Sequence, residues 1–167
     1  QPIQQQRDGE QATMTKVSST KAAVAELKKA DGTRVGDVQF ASTGDGVRVQ
    51  ATLTGLAPNS VHGFHVHEGS DCVAPDFKSA GGHFDPDGHE HGAMGRGSHA
   101  GDLGNITADD DGMAMLDVMT TDLRLEGEDS ALNRSVVLHA DADDLMSQPS
   151  GDAGSRMACG EVRQTAE

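Results

Sequence analysis

The sequence predicts an all-β fold, an antiparallel sandwich or barrel built from seven or eight short strands. Apolar and polar residues alternate over short runs, as they do in strands with one buried face. Turn signals rich in Gly, Asp and Asn separate these runs at regular intervals. The 167-residue chain has no internal repeat and is of a size that buries one core, so a single folded domain is expected.

Three strands can be placed in the first third of the chain. The first begins at Ala22, and an Asp-Gly turn at residues 30–33 leads to a second run in which Val38 and Phe40 share a face. Residues 47–54 give the cleanest apolar–polar alternation in the sequence. The residues predicted to face the core in these runs are Ala23, Ala25, Leu27, Val38, Phe40, Val47, Val49, Ala51 and Leu53.

Further strands are predicted in the second half. An Asp-Gly turn at residues 109–112 precedes a strand around Val118. Residues 136–139 are apolar on both faces, as in a buried strand, and residues 158–162 form the last one. The intervening residues 140–155 are rich in Gly, Asp, Pro and Ser, and loops of this length in compact domains are usually functional.

The middle of the chain, residues 63–102, concentrates histidine. Six of the eight histidines lie there, separated by glycine-rich turns: His65, His67, His83, His89, His91 and His99. Strand alternation places His65 and His67 on one face, with Phe64 and Val66 on the other, towards the core. Two imidazoles on one rigid strand face form half of a site suited to copper or zinc.

Three further histidines of this stretch are separated by eight residues each. His91 and His99 come eight and sixteen residues after His83, and Asp102 closes the segment. No short helix places both spacings on one face, so a wrapped loop must gather these side chains. Three histidines and one carboxylate form a closed tetrahedral zinc set. His89 falls outside this spacing and is expected to be solvated.

His62 lies on the same strand side as Phe64 and Val66 by parity. It is therefore expected to be a hydrogen-bonded core histidine and not a metal ligand.

The composition argues against several kinds of partner. A formal net charge of −14 disfavours nucleic acid and anionic membrane surfaces. The chain has no Trp and no Tyr, the usual platforms for base stacking. No apolar run approaches the roughly 20 residues that span a bilayer.

Residues 1–20 are polar and show no apolar periodicity, so they are predicted to be a flexible leader or tether, with residues 21–167 as the folded domain. The chain starts at Gln1 and has no secretory apolar segment, which is typical of a mature exported protein but also of a recombinant start. We expect an exported protein, periplasmic, at the cell surface or extracellular, with the leader as an optional membrane tether.

Four motifs, in order, resemble those of the copper/zinc superoxide dismutase family, bacterial type. They are GFHVHE at 63–68, SAGGHFDP at 79–86, HAGDLGN at 99–105 and GSRMACG at 154–160. The resemblance extends, with gaps, from about Ala22 to Val162. It implies a Greek-key antiparallel β-sandwich or flattened barrel, immunoglobulin-like, with long metal-binding and electrostatic loops. It also implies an enzyme that converts two superoxide anions into oxygen and hydrogen peroxide by copper redox cycling, with a structural zinc.

The resemblance further implies roles for individual residues. The copper ligands would be His65, His67, His83 and His139, and the zinc ligands His83, His91, His99 and Asp102. His83 would bridge the two metals as an imidazolate and take part in catalysis by accepting a proton. Asp143 would accept protons from one copper and one zinc histidine, fixing their orientation. Arg156 would lie over the copper and bind the anionic substrate.

Cys72 and Cys159 are the only cysteines. An even pair in an exported chain suggests one disulfide, with two free thiols as the alternative, and the resemblance implies the disulfide. Cys72 comes five residues after His67, a spacing that looks bacterial and not animal. A monomer or a homodimer of non-animal type is therefore expected.

Residues 140–155 contain no Lys or Arg, whereas many family members place a guiding lysine in this loop, near the position of Pro149. The cations that could replace it are Lys78, Arg96, Arg124 and Arg134. A rival interpretation is a dismutase-like protein that buffers copper or zinc without turnover. All seven ligand positions are filled, which favours the enzyme.

Overall fold

Eight antiparallel strands form one sheet that curls into a nearly closed barrel. The computed structural model describes residues 21–44, 46–85, 90–92, 94, 99–127, 130–148 and 151–166, and the predicted leader, residues 1–20, lies outside them. The strands are β1 (Ala22–Lys29), β2 (Arg34–Ser42), β3 (Val47–Leu53), β4 (Val61–His67), β5 (Asp102–Thr107), β6 (Ala114–Thr120), β7 (Ser135–His139) and β8 (Arg156–Ala166). Within the described ranges, the one helical element is a 3-10 turn at Lys78–Ala80, and no helix has the length and apolar character of a membrane span.

The strand order is β5-β4-β7-β8-β1-β2-β3-β6, with antiparallel pairing throughout. β1, β2, β3 and β6 make one half of the barrel, and β5, β4, β7 and β8 make the other. The chain crosses between the halves three times, after β3, β5 and β6, and such crossings are characteristic of Greek-key connections. The predicted antiparallel all-β fold is confirmed.

The core lies where the alternating runs predict it. All nine residues expected to face the core in β1, β2 and β3 are at most 2% exposed. They share one cluster with Phe64 and Val66 of β4, and with Val136 and Leu138 of β7. Because burying one Val, Leu or Phe side chain contributes roughly 1.5–3 kcal/mol, this cluster supplies the main driving force for folding.

β4 and β7 are buried on both faces, apart from Val61 at the start of β4. They are neighbours within the sheet, with Phe64 opposite Leu138 and His65 opposite Val137. One face of β4 packs into the barrel, and the loops before β5 and after β7 cover the other. His65 and His67 on that outer face are therefore held between a rigid sheet and two loops.

The sequence analysis did not predict β5. Its residues, Asp102–Thr107, do not alternate, and Gly104 adopts a left-handed conformation with φ of 83°. The pairing of β4 with β5 also shifts register between Gly63 and His65. This irregular pairing places Asp102 opposite His65, next to the predicted metal residues.

A disulfide joins Cys72 to Cys159, 87 residues apart, and confirms the predicted pair. It attaches the segment after β4 to β8. A small second cluster surrounds it, formed by Phe77, Ala80 and Val137 together with the two cysteines. The disulfide therefore anchors the loop that leads into the metal residues onto the barrel wall.

Candidate metal centre

The first group of potential metal ligands lies on the outer face of β4. It comprises His65 and His67 from β4, His83 from the following loop, and His139 at the end of β7. His83 is brought in by an isolated antiparallel bridge with His67. One ring nitrogen from each of the four histidines lies within 4.8 Å of the others.

Three of these histidines contact a main-chain carbonyl or Asp143 through one ring nitrogen, and His83 contacts Asp102. His67 Nδ1 lies 2.8 Å from the carbonyl oxygen of Gly81, and His139 Nδ1 lies 3.3 Å from that of Gly154. His65 Nε2 lies 2.6 Å from the carboxylate of Asp143. Such contacts fix the ring orientation and leave the other nitrogen available to a metal. The opposite nitrogens of His67 and His139 converge, with their Nε2 atoms 3.4 Å apart.

Two buried nitrogens in this group lack a hydrogen-bond partner among the described residues. They are His65 Nδ1 and His83 Nε2. A buried polar atom without a partner costs free energy, so such atoms in native proteins usually mark a bound water, an ion or a functional site. A cation between these rings would satisfy both atoms, and a set of imidazole nitrogens suits copper. The residues present therefore fit the metal that the family implies.

Burial keeps the imidazoles of this group neutral. Desolvation lowers the pKa of His65 to about 3 and that of His139 to about 4. It also lowers the pKa of His67 well below its ordinary value. Because a metal binds the neutral ring, the site is in the ligand form at neutral pH.

The second group is centred on the carboxylate of Asp102. The Nδ1 atoms of His83 and His91 each lie 2.8 Å from Asp102 Oδ1. His99 Nδ1 lies 3.3 Å from His83 Nδ1 and 3.5 Å from Asp102 Oδ2. A set drawn only by mutual distance, within 4.8 Å, contains His65 in place of His99.

Two main-chain N–H groups orient the carboxylate of Asp102. Those of Gly92 and His99 donate to Oδ2, at 3.2 and 3.0 Å, which turns Oδ1 towards His83 and His91. Burial alone would raise the pKa of Asp102. Its hydrogen bonds with His83 and with the main-chain N–H of Gly92, together with its electrostatic interactions with His83 and His91, outweigh burial, and the net effect is a pKa below the ordinary value.

Asp143 connects the two groups. Its Oδ2 contacts His65 Nε2, and its Oδ1 lies 2.8 Å from His91 Nε2. Burial opposes ionisation of Asp143, but the hydrogen bonds from His65 and His91 hold its pKa well below the ordinary value. The predicted contact of Asp143 with one histidine from each metal set is therefore present.

The side chain of Asn105 forms two hydrogen bonds with the main chain of Asp143. Its Nδ2 donates to the carbonyl oxygen of Asp143 at 2.9 Å, and its Oδ1 accepts from the main-chain N–H of Asp143 at 2.7 Å. The sequence analysis missed this role, although Asn105 lies within the HAGDLGN motif. Its place in that motif, three residues after Asp102, could have indicated a role near the site.

Arg156 lies beside the first group. It is the first residue of β8, and its Nη1 donates to the carbonyl oxygen of Phe77 at 2.8 Å. Arg156 lies opposite His139 in the pairing of β7 with β8, and its positive charge contributes to the lowered pKa of both His67 and His139.

The other cations considered as replacements for a guiding lysine make contacts of their own or lie elsewhere. Arg124 donates to the carbonyl oxygens of Thr121 and Leu123. Arg134 donates to Glu68 O and covers the ring of Phe84 at 4.3 Å. Lys78 is exposed and directly follows Phe77. Arg96, His89 and Pro149 lie outside the described residues.

His62 behaves as predicted for a buried histidine outside the metal sets. It is 5% exposed, and its Nδ1 donates to the carbonyl oxygen of His139 at 2.9 Å. Its Nε2 lies 2.7 Å from Ser60 Oγ. His62 therefore fixes the main chain at the end of β7.

Comparisons with known proteins identify the family. Residues 34–162 match the family model for copper/zinc superoxide dismutase (SODC). Two Cu-Zn superoxide dismutases of Aquifex aeolicus are similar, at 40% identity (84% of this chain and 86% of the relative) and at 37% identity (83% and 86%). The chain belongs to the copper/zinc superoxide dismutase family. It is an oxidoreductase that uses copper and zinc to convert superoxide into oxygen and hydrogen peroxide.

Solved structures show the same architecture. A SOD-like protein from Bacillus subtilis matches with a TM-score of 0.76 at 34% identity, over 82% of this chain and 95% of that one. A mutant of that protein with one substitution to histidine matches with a TM-score of 0.77 at 34% identity, over 84% and 97% of the two chains. Its double mutant gives 0.78 at 35% identity, over 84% and 96%.

Proposed function

We propose that two ligand sets that share His83 carry out the dismutation. The copper set is His65, His67, His83 and His139. The zinc set is His83, His91, His99 and Asp102. The observation that supports this division most strongly is the pair of unpartnered buried nitrogens, His65 Nδ1 and His83 Nε2, inside a ring of converging imidazoles.

His83 is suited to the bridging role because its two nitrogens face different groups. Nδ1 lies 2.8 Å from Asp102 in the zinc set, and Nε2 has no partner in the described structure. When bound, copper supplies the one-electron redox cycle and zinc supplies a fixed positive charge. His83 Nε2 holds one of the two protons that hydrogen peroxide requires, and Asp102 keeps the ring aligned while that proton is held.

His99 fits the zinc set better than His65 does. The Nε2 of His65 is already directed at Asp143, and its Nδ1 is one of the unpartnered atoms of the first group. His99 Nδ1 lies near both His83 Nδ1 and Asp102. Assigning His99 to zinc therefore gives each set four ligands and leaves Asp143 to support both.

Arg156 is assigned to binding the superoxide anion. Arg156 lies opposite His139 in the strand pairing, its hydrogen bond to Phe77 O fixes the guanidinium, and its charge attracts an anion arriving there. In this role Arg156 contributes to substrate capture, whereas His83 contributes to proton transfer.

The ligand division can be tested by metal analysis of single variants. His139→Ala should lose copper and turnover but keep zinc, because only the copper set contains His139. Asp102→Ala and His99→Ala should lose zinc and melt at lower temperature, because metal binding to loop residues stabilises the fold. His89→Ala serves as the control and should retain both metals.

Unchanged zinc content and stability in both Asp102→Ala and His99→Ala would rule out the zinc set. Zinc loss in His89→Ala would move that ligand from His91 to His89. Wild-type protein that binds copper but shows no superoxide turnover would favour the metal-buffering alternative.

We also propose that the protein is exported, to the periplasm, the cell surface or the medium. The disulfide supports this location, since structural disulfides persist in oxidising compartments. Within this proposal the protein is a monomer or a homodimer of non-animal type, and residues 1–20 act as a leader or tether. Cell fractionation and sedimentation of the purified protein test the location and the oligomeric state.

A further inference from the structure

Gln148 contacts the main chain of a proposed zinc ligand across 57 residues of sequence. Its Oε1 accepts from the main-chain N–H of His91 at 2.8 Å, and its Nε2 donates to the carbonyl oxygen of the same residue at 2.8 Å. One side-chain amide thus pairs with both main-chain polar groups of His91, much as a neighbouring strand would.

A third hydrogen bond fixes the amide in this orientation. The second hydrogen of Nε2 points to the carbonyl oxygen of Met146, at 3.0 Å. Exchanging the amide oxygen and nitrogen would place an NH₂ group against an N–H and an oxygen against two carbonyls. Gln148 is exposed to solvent, but its side-chain amide has only one orientation that satisfies all three hydrogen bonds.

The contacts of His91 on its other sides explain what this arrangement does. Its ring lies between two carboxylates, with Nδ1 2.8 Å from Asp102 and Nε2 2.8 Å from Asp143. A small rotation of the main chain would break one of these two contacts. Gln148 opposes that rotation, because it holds the peptide groups on both sides of the His91 side chain.

We infer that Gln148 is a positioning residue for zinc: it holds His91 against Asp102 and Asp143 and so slows zinc release. The inference rests on the proposed role of His91 as a zinc ligand. It also means that the loop of residues 140–155 contributes to the zinc site twice, through the side chain of Asp143 and through the amide of Gln148.

Zinc release from zinc-loaded protein into an excess of a chelating dye tests this inference. Gln148→Ala removes all three hydrogen bonds and should release zinc roughly tenfold faster, the scale seen when groups behind metal ligands are removed. Gln148→Glu keeps an acceptor for the His91 N–H but sets a carboxylate oxygen against two carbonyls. It should therefore release zinc at least as fast as Gln148→Ala does. Gln39→Ala, an exposed glutamine on β2, is the matched control and should release zinc at the wild-type rate.

Cobalt in the zinc site provides a second readout, independent of turnover. Its visible absorption should change in Gln148→Ala and not in Gln39→Ala, since the first variant removes the contacts that hold the main chain of His91. Release within twofold of wild type in both Gln148 variants, with unchanged cobalt spectra, overturns the inference. The same holds if the variants lower only the melting temperature of the metal-free protein.

His91→Ala separates this inference from the proposed ligand set. If His91→Ala retains zinc as wild type does, the zinc set itself is wrong. If His91→Ala loses zinc while the Gln148 variants behave like Gln39→Ala, the ligand set stands and only the role of Gln148 is wrong.

Discussion

Among single residues, Arg156 combines a fixed position with partial access to solvent. Phe77 O holds one end of its guanidinium, and its charge is felt by two proposed copper ligands. The net charge is −14, and most acidic side chains that the structure describes are exposed, so their charges are screened beyond about 10 Å at physiological salt. The local charge of Arg156 therefore matters more to an approaching anion than the net charge does.

We expect Arg156→Ala to slow turnover about tenfold. Two unit charges about 6 Å apart at an effective dielectric near 20 interact by about 3 kcal/mol, which limits the effect to about a hundredfold, and partial exposure reduces it. Arg156→Glu should be slower still. Arg163→Ala, on the same strand but exposed and paired with Glu161, is the control.

The measurement is turnover against ionic strength. Wild-type turnover should fall with salt more steeply than that of Arg156→Ala, because the variant lacks the attracting charge. Equal rates and parallel salt dependence would show that Arg156 does not bind the substrate.

The sequence could predict which histidines lie close together in the candidate site, but not all of the residues that hold them in place. Histidine spacing and strand parity single out His65 and His67, and the family motifs supply His139. Gln148 and the carbonyl of Phe77 act through main-chain contacts between segments far apart in sequence. No periodicity encodes such contacts, because they arise only once both loops have folded over the outer face of β4.

At the scale of elements, strands were predictable where one face meets the barrel core and the other meets solvent. β1, β2 and β3 follow that rule. β5 does not, because Asp102 contacts His83 and His91, Asn105 holds the main chain of Asp143, and Gly104 interrupts the strand geometry. The alternation was lost where function determines the residues.

The disulfide gives a prediction for the segment between β4 and the 3-10 turn. Reduction should lower the free energy of unfolding by up to about 4–5 kcal/mol, the chain entropy regained when a loop of this length is opened. Metals should remain bound at first, since neither cysteine belongs to a ligand set. Turnover should fall as well, because the freed segment carries the Phe77 carbonyl that holds Arg156.

Denaturant titration of oxidised and reduced protein measures the loss, with Cys72→Ser as a variant that needs no reductant. Coincident transitions for the two forms would show that the disulfide does not stabilise the fold. Mass analysis that found two free thiols in the native protein would contradict the pairing itself.

At the scale of the whole molecule, the buried histidines make the metal-free protein sensitive to acid. The pKa of His65 is lowered to about 3 and that of His139 to about 4, whereas both titrate near 6.5 in an unfolded chain. As the pH falls below about 6.5, the unfolded chain takes up protons that the folded protein does not, so stability falls. Each histidine contributes at most about 1.4 kcal/mol per pH unit over that window.

The free energy of unfolding of metal-free protein should therefore rise from about pH 4 to about pH 6.5 and then level off. Urea titrations at intervals of half a pH unit measure this free energy. His139→Gln should reduce its slope against pH by up to the contribution of one proton, about 1.4 kcal/mol per pH unit. A stability that stays constant over this range would mean that these rings are not buried in the neutral form.

In the proposed division, His83 belongs to both ligand sets and Asp143 contacts one histidine of each, and this has a thermodynamic consequence. When one ion has fixed these side chains in place, the second ion binds without the free-energy cost of fixing them. The two binding equilibria are then linked, and linkage is reciprocal: zinc changes the affinity for copper by the same factor as copper changes the affinity for zinc. With these ligand sets each metal would be an effector of the other, with the imidazole of His83 and the carboxylate of Asp143 as the coupling elements.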